Sequence, residues 1–563
     1  MFVLGLLSYV FIMFIVLRAI QAYYKEKMLF DYSNEDEEKS SKKLAYYIVL
    51  LVLLVLSFIF ANYFILIKMN LRYLGIYMYL LLFIVLGVNI VDEIFDWDMT
   101  KKRMYMVVSL VSFFGFAILF FALGGRTYFH AEKYSNLIQL SEEDFLTDIQ
   151  TVDVSTLPIV DKAYGEKLGS LKLGEYPGIG SEFEAGEYSD IIYDGQQYLV
   201  APLEYRGIFK WINNNKVGTP GYILINKITS DTQLVNLRED TGEGLIYTPS
   251  AYLNQDLTRH VYYNGMSKYQ LESTYFEIDE SGVPYYVLSY SLPQIFINGG
   301  DDIVKVAVVN ALDGEVNIYD TDNVPSWVES VYPARIVFNQ IDYWGSLQDG
   351  WLNSVFAQKG VLQTSNGSRV IMNEGELFYF TGLTSAGNDE STIGFVYTST
   401  KTKEAKLFSF PGATEEAAMN KALTLLPQNN ITTSFPIPIN VENTPTYFIL
   451  IKGEDGRILR NVFIGVQDLE SYTIKDTKSA AYDSYLLNLG STASSVDSIT
   501  GEITDILSYV QEGNTMYWFE IDGSYYLVNV SKFSDDQLRL FIEYGVGDTV
   551  TFQILDYRVI GFE

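Results

Sequence analysis

Two histidines, 69 acidic side chains and no cysteine bound the chemistry open to this 563-residue chain. Histidine is the usual proton carrier near neutrality. His130 follows an apolar run, and His260 sits in Leu257-Thr258-Arg259-His260-Val261-Tyr262. Each stands alone, and a lone histidine reads as a hydrogen-bonded structural residue. A zinc site needs three or four His, Cys or carboxylate ligands. The missing cysteines remove disulfides, thiolate metal sites, iron–sulfur clusters and cysteine nucleophiles. No Gly-x-Ser-x-Gly elbow, phosphate loop or dinucleotide fingerprint is present. Two carboxylates meeting in space could hydrolyse a glycoside, but no spacing selects a pair. Gly299-Gly300-Asp301-Asp302 and Asp320-Thr321-Asp322-Asn323 offer oxygens to Ca2+ without the spaced calcium-loop pattern. Turns between strands use the same residues. The expectation is therefore no catalytic residue, no resident metal and no cofactor, with Ca2+ as the weaker alternative. The 44 tyrosines and 35 phenylalanines leave an aromatic sugar- or base-stacking surface open. Tyr517, Trp518, Tyr525 and Tyr526 are its candidate platform.

The elements that must position these residues fall into two parts. Met1–Ile20, Leu44–Ile67, Tyr73–Val91 and Met104–Leu123 are apolar stretches of about 20 residues, the length that crosses a bilayer. Met1-Phe2-Val3-Leu4 lacks a positive n-region, so the first run reads as a retained helix. Basic residues cluster at 21–43 and 92–103, which places those loops in the cytoplasm and both termini outside. Asn62, Asn89 and Asp92 are the polar residues in or beside the spans, better suited to joining helices than to an ion path. The expected fold class is thus a membrane protein: four N-terminal transmembrane helices (1–125), a linker with a short helix (126–190), an α+β ectodomain of repeated antiparallel hairpins (191–480) and a small β-barrel (491–563). Of the net charge of −30, nearly all lies after residue 125. Such a surface disfavours nucleic acid and suits cations or basic partners.

From about residue 190 the chain repeats itself. Tyr198–Leu203 leads to Gly221–Asn226, Tyr285–Leu288 to Val304–Asn310, Phe378–Phe380 to Ile393–Tyr397, and Tyr447–Leu450 to Val462–Ile464. Alternating strands with Asp-Gly turns at 313–314, 455–456 and 522–523 read as hairpins. Thr414–Leu426 reads as a helix capped by Thr414 and stopped by Pro427. Further helical pieces are expected to start at Ser141-Glu142-Glu143-Asp144, with the acids in the first turn, and to run near Val324–Val331, opened by Pro325.

The pattern Tyr-Tyr-Val…Val-x-Val-x-Val-Asn-Ala-x-Asp-Gly-Glu-Val, best at Tyr285–Tyr319 and partial at 197–237, 377–427 and 446–467, resembles the PepSY module of bacterial extracytoplasmic proteins. The resemblance implies small α+β units used for binding, scaffolding or inhibition. This chain departs from it in long gaps and in lacking a clean helix before each hairpin. The last segment, with Tyr517–Ile521, Tyr525–Val530 and Gly545-Val546-Gly547-Asp548-Thr549-Val550, resembles an OB-fold barrel. Its few basic residues, Lys532, Arg539 and Arg558, suit oligonucleotides poorly. The functional expectation is a non-catalytic, membrane-anchored binding or scaffold protein of a bacterial, Gram-positive cell envelope, at the plasma membrane with its large region outside. It would hold a partner protein or self-assemble. The alternatives are a glycan-acting envelope enzyme using carboxylates and an OB-type oligonucleotide binder at the membrane.

Overall fold

The computed structural model describes the chain from Leu123 onward except 386–390, 429, 491–496, 512–513, 531–540, 542, 556–557 and 563. It also describes Val52, Phe60, Asn62–Phe64, Leu66, Lys68, Asn70, Arg72 and Gly115. Among the described residues no helix is long and apolar enough to cross a membrane. What they form is mostly β-sheet, in four sheets and one closed barrel. This corrects the expected fold class, the transmembrane character and the multi-pass plasma-membrane localisation. The four expected spans, with Asn89 and Asp92, lie outside the described residues apart from isolated positions.

Four units follow one plan, a helical segment and then an antiparallel meander. After the short strand Leu140–Glu143 (β1), unit one holds the helix Lys162–Gly174 and strands Phe183–Ala185 (β2), Ser189–Tyr193 (β3), Gln196–Tyr205 (β4), Gly221–Asn226 (β5) and Thr232–Asn236 (β6). Unit two holds the short helix Leu257–Val261 and strands Gln270–Ile278 (β7), Pro284–Ile295 (β8), Gly299–Asn310 (β9) and Val316–Tyr319 (β10). Unit three holds the helix Ala334–Leu347 and strands Leu362–Thr364 (β11), Arg369–Asn373 (β12), Glu376–Ser385 (β13), Ser391–Ser399 (β14) and Ala405–Ala413 (β15). Unit four holds the helix Glu415–Thr424 and strands Thr432–Thr433 (β16), Ile437–Val441 (β17), Thr444–Lys452 (β18), Ile458–Gly465 (β19) and Tyr472–Lys475 (β20).

In each unit the last four strands pair in chain order. In units one, three and four a further short strand (β2, β11 or β16) pairs with the long strand beside the first of those four. In unit two β7 covers both stretches alone, bulging between Leu271 and Ser273. The plan is written in its turns. The two-residue loops Asp194-Gly195, Glu374-Gly375 and Glu442-Asn443 all have positive φ at both positions, the mirror-image turn that matches strand twist.

The sheets stack in sequence order. Val200, Tyr222 and Leu224 of unit one share a core with Phe276, Tyr286 and Leu288 of unit two. Val287, Val306 and Val308 face the other way, against Tyr379, Val396 and Leu407 of unit three and its helix. Phe378, Phe380 and Phe395 then meet Tyr447, Phe448 and Phe463 of unit four. A strand buried on both faces reads as a continuous apolar run, which accounts for Val306–Val309. The helix Lys162–Gly174 covers the outer face of the first sheet.

The helix Lys478–Gly490 follows β20, and the chain closes in a five-stranded barrel. Its strands Asp497–Gln511 (β21), Asn514–Ile521 (β22), Ser524–Asn529 (β23), Thr549–Leu555 (β24) and Arg558–Phe562 (β25) run in the order β21-β22-β23-β25-β24. Phe519, Phe541 and Phe552 fill it.

Local expectations fare unevenly. Thr414 caps its helix by accepting the Ala417 N–H at 3.2 Å. Leu140–Glu143 is a strand parallel to β15, and the helix starts only after Asp144, which caps Phe145–Asp148. The helix expected at Val324–Val331 is absent. There Val328 and Val331 are fully buried, and the loop's N–H groups go to a carboxylate, not to a helical ladder. That carboxylate is Glu277, which accepts from Glu329 at 2.8 Å and Ser330 at 2.9 Å.

Candidate binding groove

The groove begins with a capped helix. Asp161 accepts the Tyr164 N–H at 2.9 Å and so starts Lys162–Gly174. Gly165, Gly169 and Leu173 are its buried positions, every fourth residue on one face. The two glycines let the backbone settle onto Leu199, Ile223 and Ile225. A short second helix, Pro177–Gly180, turns the chain into β2, which is the edge of its sheet.

Between these helices and β2 lies a cavity of about 590 Å³, lined by Glu166, Ser170, Glu184, Tyr188 and Arg206 with apolar Leu173, Pro177 and Ala185. Arg206 is already engaged: its Nε donates to Phe183 O at 2.9 Å and it pairs with Glu184 at 3.3 Å. Glu166 has no such partner among the described residues. Tyr188 is 5% exposed, and its hydroxyl makes no hydrogen bond. Burial, reinforced by the Glu166 carboxylate, pushes that phenol well above its ordinary value.

A set of buried ions joins units one, three and four. Lys227 pairs with Asp190 at 2.5 Å and reaches Val370 O in β12. Arg369 donates to Phe435 O and Pro158 O, each at 3.1 Å. Lys452 pairs with Asp161. Burial lowers the Lys227 and Arg369 pKa values against the pull of Asp190 and Asp161. Burial alone would raise Asp161, but the Lys452 ammonium and the Tyr164 N–H hold it below its ordinary value.

A second acidic pair lies between units two and three. Burial raises Glu277 to about 7 despite its two N–H donors. Burial and the Glu277 charge raise Glu329 to about 8, with Lys401 opposing. A raised pair of carboxylates suits acid–base work, yet both Glu277 oxygens are taken by backbone N–H groups. The arrangement is a clamp on the 329–330 loop.

The residues singled out in the sequence are scattered. His130 Nε2 donates to Gly124 O at 2.8 Å and His260 Nε2 to Gly314 O at 2.7 Å. Asp301 pairs with Arg72 and Asp302 with Lys403. Asp320 pairs with Lys305. No cluster of metal-ligating side chains occurs among the described residues. Asn62 accepts from Tyr262 at 3.4 Å. The aromatic platform divides by strand alternation: Tyr517 and Tyr526 pack toward the barrel core, while Tyr525 on the outside is 44% exposed. Trp518, one residue from Tyr517, takes the outer face and pairs across to Leu527. The groove residues carried no motif. The available signal was Asp161 followed by the glycine spacing at 165 and 169, a cap and a close-packing face.

No family model matches the chain, and no curated protein matches it. Among solved structures, the crystal structure of a thermostable family-43 glycoside hydrolase aligns at 10% identity, over 61% of this chain and 74% of that one, with a TM-score of 0.15. A likeness at that score carries no argument about fold or chemistry.

Proposed function

We propose that this chain is a non-catalytic binding and scaffold protein, whose linked helix-and-meander units hold a partner protein. The observation that carries this reading is the open groove of unit one. It is a concave, half-polar site of ligand-pocket size, mounted on sheets that buried ion pairs hold in fixed relation. Sites on rigid elements bind without the entropy of ordering a loop. The PepSY-like reading of the four units and the OB-like reading of the barrel belong to the same proposal. A helix ahead of each meander and the strand order of the barrel support them.

Sizing with light scattering on the full chain, isolated with its companions, tests the proposal. A stoichiometric companion or a defined homo-oligomer is expected. A monomer at every concentration, with no companion and with turnover of a cell-wall glycan, would overturn it.

A further inference from the structure

We propose that the groove between the helix Lys162–Gly174 and edge strand β2 binds an extended peptide segment carrying a basic side chain. This inference rests on the binding-protein reading and names the chemistry of its ligand. Three features of the site define that chemistry.

The charge comes first. Of the three ionic groups on the wall, Arg206 is neutralised by Glu184 and held by Phe183 O. Glu166 remains, on a chain of net charge −30, so a lysine or arginine side chain is the complementary group.

The second feature is Tyr188, a residue of the cavity wall whose hydroxyl is unbonded and buried against Gly169. An unmet buried donor is a cost that folding alone does not relieve. A small outward shift of the helix at Gly169 would open it to a carbonyl oxygen in the groove, and a peptide supplies one per residue.

The third is the strand edge. Gly186 N–H donates to Pro202 O and Arg206 N–H to Glu182 O, with Glu184 opposite Glu204 in the register. In an antiparallel pair the bonded residues alternate, so Phe183 and Ala185 turn their backbone groups away from β4. Ala185 lies on the cavity wall. Phe183 O is taken by Arg206 Nε, so an extended segment can add to this edge through the Phe183 N–H and the two backbone groups of Ala185 while its side chains enter the cavity.

Fluorescence anisotropy of a labelled Val-Lys-Val-Lys-Val amide with the full chain tests this, beside its Val-Glu-Val-Glu-Val counterpart and free butylamine as competitor. The lysine peptide should bind and weaken with added salt, and the glutamate peptide should not bind. Glu166→Gln should weaken binding by about fivefold, as loss of one exposed charge contact implies. Tyr188→Phe should weaken it by about tenfold while leaving Tm unchanged or raised, because it removes an unmet polar atom from the unliganded protein. A merely structural tyrosine would not separate affinity from stability in that direction. Equal binding of the two peptides, wild-type affinity in both variants, or displacement by butylamine at matching concentration would each overturn the proposal. Absence of any companion in the sizing experiment would count against the scaffold reading and leave the peptide result standing.

Discussion

At Gly169 a Cβ would stand 1.7 Å from the Tyr188 hydroxyl oxygen and 3.0 Å from its Cζ. Helix propensity favours alanine over glycine by about 1 kcal/mol. The contact opposes that gain, because the helix would have to lift from a sheet whose Ile223 and Leu199 already touch it. Forcing a methyl group into a packed face typically costs about 1–3 kcal/mol. Gly169→Ala should therefore lower Tm, and adding Tyr188→Phe, which removes the nearest atom, should recover part of the loss. Thermal melts of the two variants check this, and a rise in Tm for Gly169→Ala alone would show that the helix is not held so close. Neither Tyr188 nor Gly169 has a meaning readable from its own neighbours in sequence. Tyr188 becomes a site residue only because a helix about twenty residues earlier packs over its hydroxyl and bounds the cavity with it. His130, His260 and the Asp-rich turns drew notice by type, and each is instead engaged by a carbonyl or a cation.

The Glu277 clamp shows an element whose form is set from outside itself. The segment 324–331 opens with Pro325 and spaces its valines as a helix would, yet a carboxylate from β7 takes the Glu329 and Ser330 N–H groups and Thr400 O accepts from Val331 and Tyr332. Glu329, Lys401 and Glu376 are the charged groups that face this clamp. A carboxyl raised from its usual 4.5 to about 7 favours the folded state in its protonated form. Its stabilisation is complete below pH 4.5 and is lost as pH rises through 7, an effect of roughly 3 kcal/mol by linkage. Glu329, half-buried, adds a smaller change of the same sign, since solvent screens it. The stacked-sheet transition should therefore fall in Tm between pH 5 and pH 8.5. Glu277→Gln should begin lower, having lost one acceptor, and show a flatter profile. A wild-type Tm that rises over the same interval would sink the clamp argument. Turn chemistry, by contrast, was legible: the Asp522-Gly523 hairpin needs no distant partner to form. The barrel's strands and the Thr414 cap were equally local signals. The helices ahead of the first two meanders were not, because glycines at 165 and 169 and the short span at 257–261 mask an apolar periodicity that only the sheet beneath completes.

At the scale of the whole molecule, the stack of four sheets follows from strands that are apolar on both faces, and stacking in chain order keeps most connections short. What the sequence could not show is how three cations come to be buried together between units of that stack. Lys227, Arg369 and Lys452 come from three different units, and their partners Asp190 and Asp161 lie in the first unit and at its threshold. Removing one member of such a set leaves a charge stranded in the interior, typically a loss of about 3–5 kcal/mol. The barrel is tied differently. Arg558 bonds Asp483 of the preceding helix at 3.0 Å, with the same guanidinium over Tyr482. Few contacts across a boundary allow separate unfolding. Calorimetry of the full chain should accordingly resolve a stacked-sheet transition from a barrel transition. Lys227→Met should move the first down by several degrees and leave the second in place. Arg558→Ala should move neither by more than a few degrees, since Arg558 keeps 29% of its side chain in solvent and a solvent-screened pair contributes roughly 0–1 kcal/mol. A single cooperative transition that shifts as a whole in Lys227→Met would mean that the barrel is coupled to the stack and that the ion pairs stabilise one indivisible body.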